Sequence, residues 1–227
     1  MTLVLAIDTA ADRAAAAVLD ASEGREPGRA VEVMATGHAE RLMAVIAEAL
    51  RQAGVGYADL GRIAVSVGPG SFTGVRVGVA TGRGLALALS VPAVGVSTLE
   101  ALAAEARSQT ASAHPVLTAL DGGRDTVFAA AFDEEGAVLR EPTAVGLEEA
   151  VAWAREIRPI LAGTAAARLA AALPDLALPV GPQAPTADIA VFALLGAAKS
   201  VHGKPKPLYL RPPDAKPQAG FILPRRA

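Results

Sequence analysis

The sequence has 227 residues, of which 52% are hydrophobic and 19% are charged, and this composition excludes an intrinsically disordered chain. The formal net charge of −2 argues against a protein that wraps nucleic acid unaided, because such proteins carry a basic surplus. The chain has no cysteine, which excludes disulfide frameworks, thiol nucleophiles and cysteine-rich metal sites. The lack of disulfides fits a cytoplasmic protein.

The first half of the chain predicts three strands followed by alternating helices and strands. Short apolar runs predict the strands, and apolar residues at helical spacing predict the helices. The predicted strands cover residues 3–9, 13–19, 31–35, 63–67 and 91–96, with a turn at 20–28 and helices at 40–53, 71–89 and 98–106.

The second half predicts a weaker version of the same order. Its strands cover 116–120, 127–132, 138–145 and 160–162, and its helices cover 147–157, 165–173 and 187–200. A repeated order of this kind indicates an α/β protein built from two duplicated lobes with mixed sheets. We expect an N-terminal lobe at 1–107 and a smaller second lobe with the C-terminal tail at 108–227, with the helix at 187–200 packing back on the first lobe.

Glycines at four-residue spacing mark the predicted helix at 71–89. Gly74, Gly78 and Gly82 fall on one stripe of that helix. Each glycine costs about 1 kcal/mol of helix propensity relative to alanine, and close backbone approach would offset this cost. The pattern leaves open whether the approaching partner belongs to the same chain or to another one. Arg76 and Arg83 share one side of the helix, either as a solvated stripe or as salt-bridging groups in a protein interface.

The turn before this helix has two interpretations. Its sequence, Gly68-Pro69-Gly70-Ser71, resembles an anion-binding strand-to-helix turn but lacks the lysine of a P-loop. The plainer role for Ser71 is to cap the helix. The arginines in the helix interrupt the apolar stretch at 74–96, so we expect no membrane span.

Catalytic groups are sparse. No paired histidines at metal-binding spacing and no serine-nucleophile elbow are present, which argues against a peptidase. Asp8 and Asp121 each end the first strand of a lobe, where they could hold Mg²⁺ with a nucleotide, or Asp8 could simply cap a turn.

Four segments resemble the TsaB (YeaZ) family. They are GPGSFTGVRVG at 68–78, AIDTA at 6–10, GVSTLEALA at 95–103 and KPLYLRPPDAK at 206–216. GPGSFTGVR is specific to the family, whereas AIDTA is shared by the acetate kinase, sugar kinase and Hsp70 (ASKHA) superfamily.

The resemblance implies two ribonuclease H-like lobes and a role in making threonylcarbamoyladenosine in tRNAs that read codons starting with A. It implies a non-catalytic paralogue that dimerises with the catalytic subunit TsaD, is joined by the ATPase TsaE, can self-associate, and reaches tRNA through the complex. No metal or cofactor is expected, although the resemblance leaves room for ATP or ADP at a subunit junction.

The resemblance also implies site residues. The family's dimer surface corresponds to the helices at 40–53 and 71–89, and the implied interface residues are Leu42, Val45, Ile46, Ala49, Gly74, Arg76, Gly78, Gly82 and Arg83. A vestigial nucleotide site would comprise Asp8, Thr9, Ser71, Asp121, Gly122 and Gly123. The alternatives to a scaffold subunit are an autonomous kinase-like enzyme that uses Asp8, Asp121 and Mg²⁺, and a peptidase-like relative.

Overall fold

The computed structural model describes residues 2–110, 114–123 and 125–211. The N-terminal sheet contains β1 (Leu3–Asp8), β2 (Arg13–Asp20), β3 (Arg25–Val33), β4 (Leu60–Ser66) and β5 (Ala93–Val96). The C-terminal sheet contains β6 (Val116–Gly123), β7 (Thr126–Phe132), β8 (Val138–Gly146) and β9 (Ile160–Ala162). The α-helices are α1 (His38–Ala53), α2 (Phe72–Leu89), α3 (Thr98–Gln109), α4 (Leu147–Ile157), α5 (Ala166–Ala172) and α6 (Ile189–Ala198), and a 3₁₀ turn covers Tyr57–Asp59.

The two sheets share one topology. The N-terminal sheet has the order β3-β2-β1-β4-β5, and the C-terminal sheet has the order β8-β7-β6-β9. In each sheet the first strand pairs antiparallel with the second and parallel with the strand that follows the first helix. The predicted α/β fold with two mixed sheets and a repeated strand order is therefore confirmed.

Three clusters of buried hydrophobic residues fill the space between the layers of sheets and helices. One lies between the N-terminal sheet and the pair α1 and α2. A second lies between the two sheets and contains residues of α3 and α6, and a third lies between the C-terminal sheet and the pair α4 and α5. Because α1 and α2 form an outer layer, one side of each helix faces away from the rest of the chain.

The third strand begins earlier than predicted. The expected turn at 20–28 is shorter, because the Oδ1 atom of Asp20 accepts hydrogen bonds from the backbone N–H and the hydroxyl of Ser22, at 2.9 and 2.6 Å, and closes the turn. Strand β3 then begins at Arg25 and includes Gly28. A Cβ atom at Gly28 would overlap the backbone of Ala49 in α1, so this glycine permits the helix to lie close to the sheet.

Helix α6 packs on the N-terminal sheet. Gly196 lies against Ala64 of β4, and Nη1 of Arg62 donates hydrogen bonds to the carbonyls of Gly196, Ala197 and Lys199 at 2.7 to 2.9 Å. Helix α3 packs against β6, β7 and β9 of the C-terminal sheet. The division into domains at 107/108 stays a prediction, and part of the segment between α3 and β6 lies outside the described residues.

No helix in the described ranges combines the length and the apolar character that crossing a membrane requires.

Candidate functional site

The turn between β4 and α2 is held against the end of β1. The backbone N–H of Ser71 donates to the carbonyl of Ala10 at 2.6 Å, and a Cβ atom at Gly70 would overlap the same carbonyl. The hydroxyl of Ser71 accepts a hydrogen bond from the N–H of Gly74 at 3.2 Å, which satisfies one of the unpaired donors at the helix start. The predicted N-cap role of Ser71 is confirmed.

The glycine stripe of α2 faces its own chain. A Cβ atom at Gly74 or Gly78 would overlap the backbone oxygen or the hydroxyl of Thr9, and one at Gly82 would come within 3.3 Å of Val65. All three glycines are buried. They let α2 lie directly on β1 and β4, so the interpretation of these glycines as a surface for another chain is wrong.

The implied interface residues of α1 are also buried. Leu42, Ile46 and Ala49 are fully buried and Val45 is nearly so. They belong to the cluster between the N-terminal sheet and the two outer helices, because the apolar face of an amphipathic helix packs on its own core. These four residues are therefore core residues, and their assignment to a partner interface is wrong.

The outward sides of α1 and α2 carry a different set of residues, which we call the outer helix surface. Arg76 and Arg83 are both exposed, as an interface role requires, but Arg76 lies near the start of α2 and only Arg83 belongs to the outer helix surface. Its exposed small or apolar residues recur at helical spacing, and they are Met43, Ala44 and Ala47 on α1 and Ala80, Gly84, Leu87 and Ala88 on α2. Leu87 is 79% exposed, and no atom lies within 4 Å of the position of a Cβ on Gly84.

The carboxylate of Asp8 is fully buried and is satisfied within the chain. Its Oδ1 atom accepts from the N–H of Ala10 at 3.0 Å, and its Oδ2 atom accepts from the hydroxyl of Thr186 at 2.8 Å. The guanidinium of Arg13 lies 3.4 Å from the same Oδ2 atom and also donates to the carbonyl of Ala187. Asp8 therefore joins the end of β1 to the segment before α6.

Thr9 and the C-terminal residues of the predicted nucleotide site also have partners of their own. The hydroxyl of Thr9 donates to the carbonyl of Gly74 at 2.7 Å. The carboxylate of Asp121 forms an ion pair with Arg168 at 2.6 Å and is 42% exposed. Gly122 and Gly123 continue strand β6, and the carbonyl of Gly123 accepts from Arg211 at 3.2 Å.

The two strand-end aspartates are thus tied to different parts of the chain. Within the described ranges, no three His, Asp or Glu side chains come close enough to hold a metal ion. Sequence reasoning missed Arg13, Thr186 and Arg168 as partners of these carboxylates. Thr186 and Arg168 lie 178 and 47 residues from the carboxylates that they contact. No local pattern connects residues so far apart.

Comparison with known proteins identifies the relatives of this fold. A model of the family "TsaD: tRNA N6-adenosine threonylcarbamoyltransferase" matches residues 25–197. An uncharacterised protein of Mycobacterium tuberculosis is 35% identical over 223 residues, which is 96% of each chain. The tRNA threonylcarbamoyladenosine biosynthesis protein TsaB of Escherichia coli is 32% identical over 154 residues, covering 67% of this chain and 65% of that protein.

Solved structures agree with these relatives. A Pseudomonas aeruginosa protein described as similar to the peptidase YeaZ has a TM-score of 0.75 at 28% identity, covering 93% of this chain and all of that one. YeaZ from the same organism has a TM-score of 0.68 at 30% identity, with coverages of 87% and 91%.

A hexokinase of the ROK family from Thermus thermophilus, at 17% identity and a TM-score of 0.50, covers 87% of this chain and 97% of its own. It shares the fold alone, which agrees with the predicted α/β fold of two mixed sheets flanked by helices. The TsaD family model spans more than half of the chain. Among the relatives, the Escherichia coli TsaB sequence and the YeaZ structures indicate the TsaB branch of these proteins. The chain belongs to the TsaB (YeaZ) family.

Proposed function

We propose that the chain is a non-catalytic subunit of the complex that transfers a threonylcarbamoyl group to the adenosine next to the anticodon in tRNAs reading codons that start with A. Family membership supports this proposal, since the Escherichia coli relative is named for the biosynthesis of threonylcarbamoyladenosine. The matching family model carries the name of the transferase itself.

The main support for a non-catalytic role is that the carboxylate of Asp8 is buried and hydrogen-bonded within the chain. A carboxylate that binds a metal with a nucleotide needs oxygen lone pairs open to the ligand. Both oxygens of Asp8 accept hydrogen bonds from Ala10 and Thr186, and the side chain has no exposed surface. In our proposal, Asp8 therefore stabilises the fold and does not bind a metal or a nucleotide.

The outer helix surface supports the proposed pairing with a partner. Its apolar side chains are exposed on two adjacent helices, and the core of an interface between subunits is enriched in such groups. The partner in our proposal is the catalytic subunit TsaD, with the ATPase TsaE joining the pair. A second copy of this chain is the alternative occupant, and ATP or ADP at the subunit junction stays a prediction.

Reconstitution of the modification reaction tests the role. Unmodified tRNA is incubated with the reaction's other components while this chain is omitted, added alone, or added with TsaD and TsaE. We expect modified adenosine only when the chain and TsaD are both present. Modification at the full rate without this chain would contradict the proposal. ATP turnover by the isolated chain that Asp8→Asn abolishes would favour the kinase-like alternative instead.

A pair of leucine variants tests the proposed surface. Leu87→Asp places a charge on α2 where the side chain is 79% exposed, and we expect it to abolish co-purification with TsaD. Leu194→Asp is the matched control, since Leu194 is a 51% exposed leucine on α6, away from this surface. Both variants should keep the wild-type circular dichroism spectrum. If the two variants co-purified with TsaD to the same extent, the outer helix surface would be ruled out as the docking site.

A further inference from the structure

Three exposed side chains form a compact cluster at the start of α2, which we call the aromatic–arginine cluster. The guanidinium carbon of Arg76 lies 3.6 Å from the centroid of the Phe72 ring and 5.6 Å from that of Tyr209. The Nε atom of Arg76 donates to the hydroxyl of Tyr209 at 2.8 Å, and the two ring centroids are 5.7 Å apart. The rings are 52% and 53% exposed.

The C-terminal segment that carries Tyr209 is anchored to the fold. Pro205 is buried near Gly95, and the N–H of Leu208 donates to the carbonyl of Val67 at 2.8 Å. Leu210 packs against the cluster between the two sheets. The backbone around Tyr209 is therefore held beside α2, and the three side chains of the cluster contact one another without a ligand.

Arg76 is held by rings, whereas many other exposed arginines are held by carboxylates. Arg41, Arg51 and Arg140 each pair with a glutamate at 2.6 to 2.9 Å. In the described part of the chain, Arg76 has no ion pair with a carboxylate, and its Nη atoms make no hydrogen bond to the protein. A guanidinium whose Nη donors have no partner among residues 2–110, 114–123 and 125–211 is suited to bind a phosphate or a carboxylate from outside.

The surrounding sequence is cationic. No acidic residue occurs at 60–99 or at 189–213, although the whole chain has a net charge of −2. Lys204, Lys206 and Arg211 lie within five residues of Tyr209 along the chain, and all three are exposed. These two stretches of sequence are thus opposite in net charge to the whole chain, and a cationic stretch favours an anionic partner.

We propose that the aromatic–arginine cluster binds an unpaired nucleotide of RNA. A base would stack on the exposed ring of Phe72 or Tyr209, and the Nη atoms of Arg76 would hold the adjacent phosphate. Lys204 and Lys206 would contact neighbouring phosphates. The site belongs to the class that reads single strands by stacking and backbone charge, without a code for base sequence.

The half-exposed rings favour RNA over an acidic protein segment. A carboxylate would use the free donors of Arg76 but would leave both ring faces in water. A nucleotide can stack its base on a ring and place its phosphate against the guanidinium, because each base has an apolar face and is followed by a phosphate. The proposal rests on the proposed function only in naming the RNA as the anticodon loop of tRNA.

Fluorescence anisotropy with a labelled anticodon stem-loop tests the inference. The stem-loop is titrated with the full chain, alone and in complex with TsaD, and the same strand annealed to its complement is the duplex control. We expect the wild-type protein to prefer the stem-loop. Phe72→Ala and Tyr209→Ala should each weaken binding by about 5- to 150-fold for a ring that stacks a base, and Phe72→Trp should keep the wild-type affinity.

Arginine variants supply the matched comparison. Arg76→Ala should weaken binding to the stem-loop and should lower the slope of log affinity against log salt concentration by about 0.7, as expected for one phosphate contact on a single strand. Arg25→Ala removes an exposed arginine at the start of β3, away from the outer helix surface, and should change the affinity by less than about 2-fold.

Three results would overturn the inference. The first is no stem-loop binding by the wild type, alone or in the complex, up to about 0.1 mM protein. The second is an equal loss of RNA affinity in Arg76→Ala and in the control Arg25→Ala. The third is loss of TsaD pairing in Arg76→Ala with unchanged RNA affinity, which would assign the cluster to a protein partner. If the chain binds the stem-loop through the cluster but is dispensable for tRNA modification, the proposed function fails and the RNA site stands.

Discussion

Gly78 and Gly84 lie six residues apart on α2 and have very different surroundings. A Cβ atom at Gly78 would overlap the hydroxyl of Thr9, whereas one at Gly84 would meet no atom within 4 Å. The first glycine therefore permits the contact between α2 and β1, and the second lies on the outer helix surface. Substitution of Gly78 would disturb the fold itself, so it is unsuitable as a test of pairing with a partner.

Two alanine variants measure this difference. We expect Gly78→Ala to lower the free energy of unfolding by about 1–3 kcal/mol, because the added methyl group overpacks a closed contact. Gly84→Ala should raise it by up to about 1 kcal/mol, because alanine has the higher helix propensity and the site is open. Urea denaturation followed by circular dichroism gives both values. Equal changes in the two variants would show that Gly78 is not packed against Thr9.

Asp8 provides a second prediction at the level of one residue. Asp8→Asn keeps the size of the side chain but removes the negative charge beside Arg13 and an acceptor for Thr186. We expect a loss of about 1–3 kcal/mol in the free energy of unfolding, measured in urea. The loss should be the same with and without Mg²⁺ and ATP. A neutral or stabilising effect would instead fit a carboxylate kept for a ligand.

At the level of elements, the start of α6 is tied to β3 and α3 by charged groups. Asp188 caps α6 by accepting from the N–H of Ala190 at 2.8 Å, and it forms two hydrogen bonds with Arg29 at 2.7 and 2.8 Å. Glu105 of α3 faces the same group, and its Oε2 atom lies 3.4 Å from the N–H of Asp188. Burial raises the pKa of Glu105, and the hydrogen bond from the N–H of Asp188 partly offsets this rise. The Asp188 carboxylate adds to the rise in pKa, and Arg13 opposes it.

The raised pKa of Glu105 predicts a pH dependence of stability. The unfolded chain ionises near its ordinary pKa of 4.5, below the pKa of the folded state, so the ionised carboxylate disfavours folding as the pH rises above that value. Glu105→Gln removes this cost. We expect the variant to unfold at a higher temperature than the wild type near pH 8, with a smaller difference near pH 4, where both side chains are neutral.

Thermal unfolding at the two pH values checks this expectation, and Glu134→Gln is a suitable control because Glu134 is exposed in the turn between β7 and β8. A destabilised Glu105→Gln protein near pH 8 would show that the hydrogen bond from the N–H of Asp188 outweighs the cost of burial.

At the level of the whole molecule, one buried cluster contains residues of both sheets. It includes Val4 and Ala6 of β1, Val116 of β6, and Phe192 of α6, which is fully buried. The two halves of the chain therefore share a core, and the two sheets should lose their structure together.

Phe192→Ala tests this coupling. Removing a buried phenylalanine costs about 3–5 kcal/mol, and we expect one calorimetric transition that shifts to lower temperature as a unit. Leu194→Ala is the control. Leu194 lies two residues further along α6 and is half-exposed, so its truncation should leave the transition temperature nearly unchanged. Two separate transitions, with only one of them shifted, would show that the lobes unfold independently.

The sequence by itself determined the features that depend on neighbours along the chain. Apolar runs predicted the strands, helical spacing predicted α1 and α2, and the position of Ser71 predicted its cap. The motif at 68–78 identified the family. These signals are short in range, because the alternation of a strand and the turn of a helix repeat within a few residues.

Only the tertiary structure decided which face of each element is covered. The glycines of α2 face Thr9 across 65 residues of sequence, Asp8 contacts Thr186 across 178, and Arg76 meets Tyr209 across 133. The same stripe of small residues suits a strand of its own sheet as well as a helix of another chain. Packing between distant segments makes that choice, and it moved the candidate interface from the glycine side of α2 to its outer side.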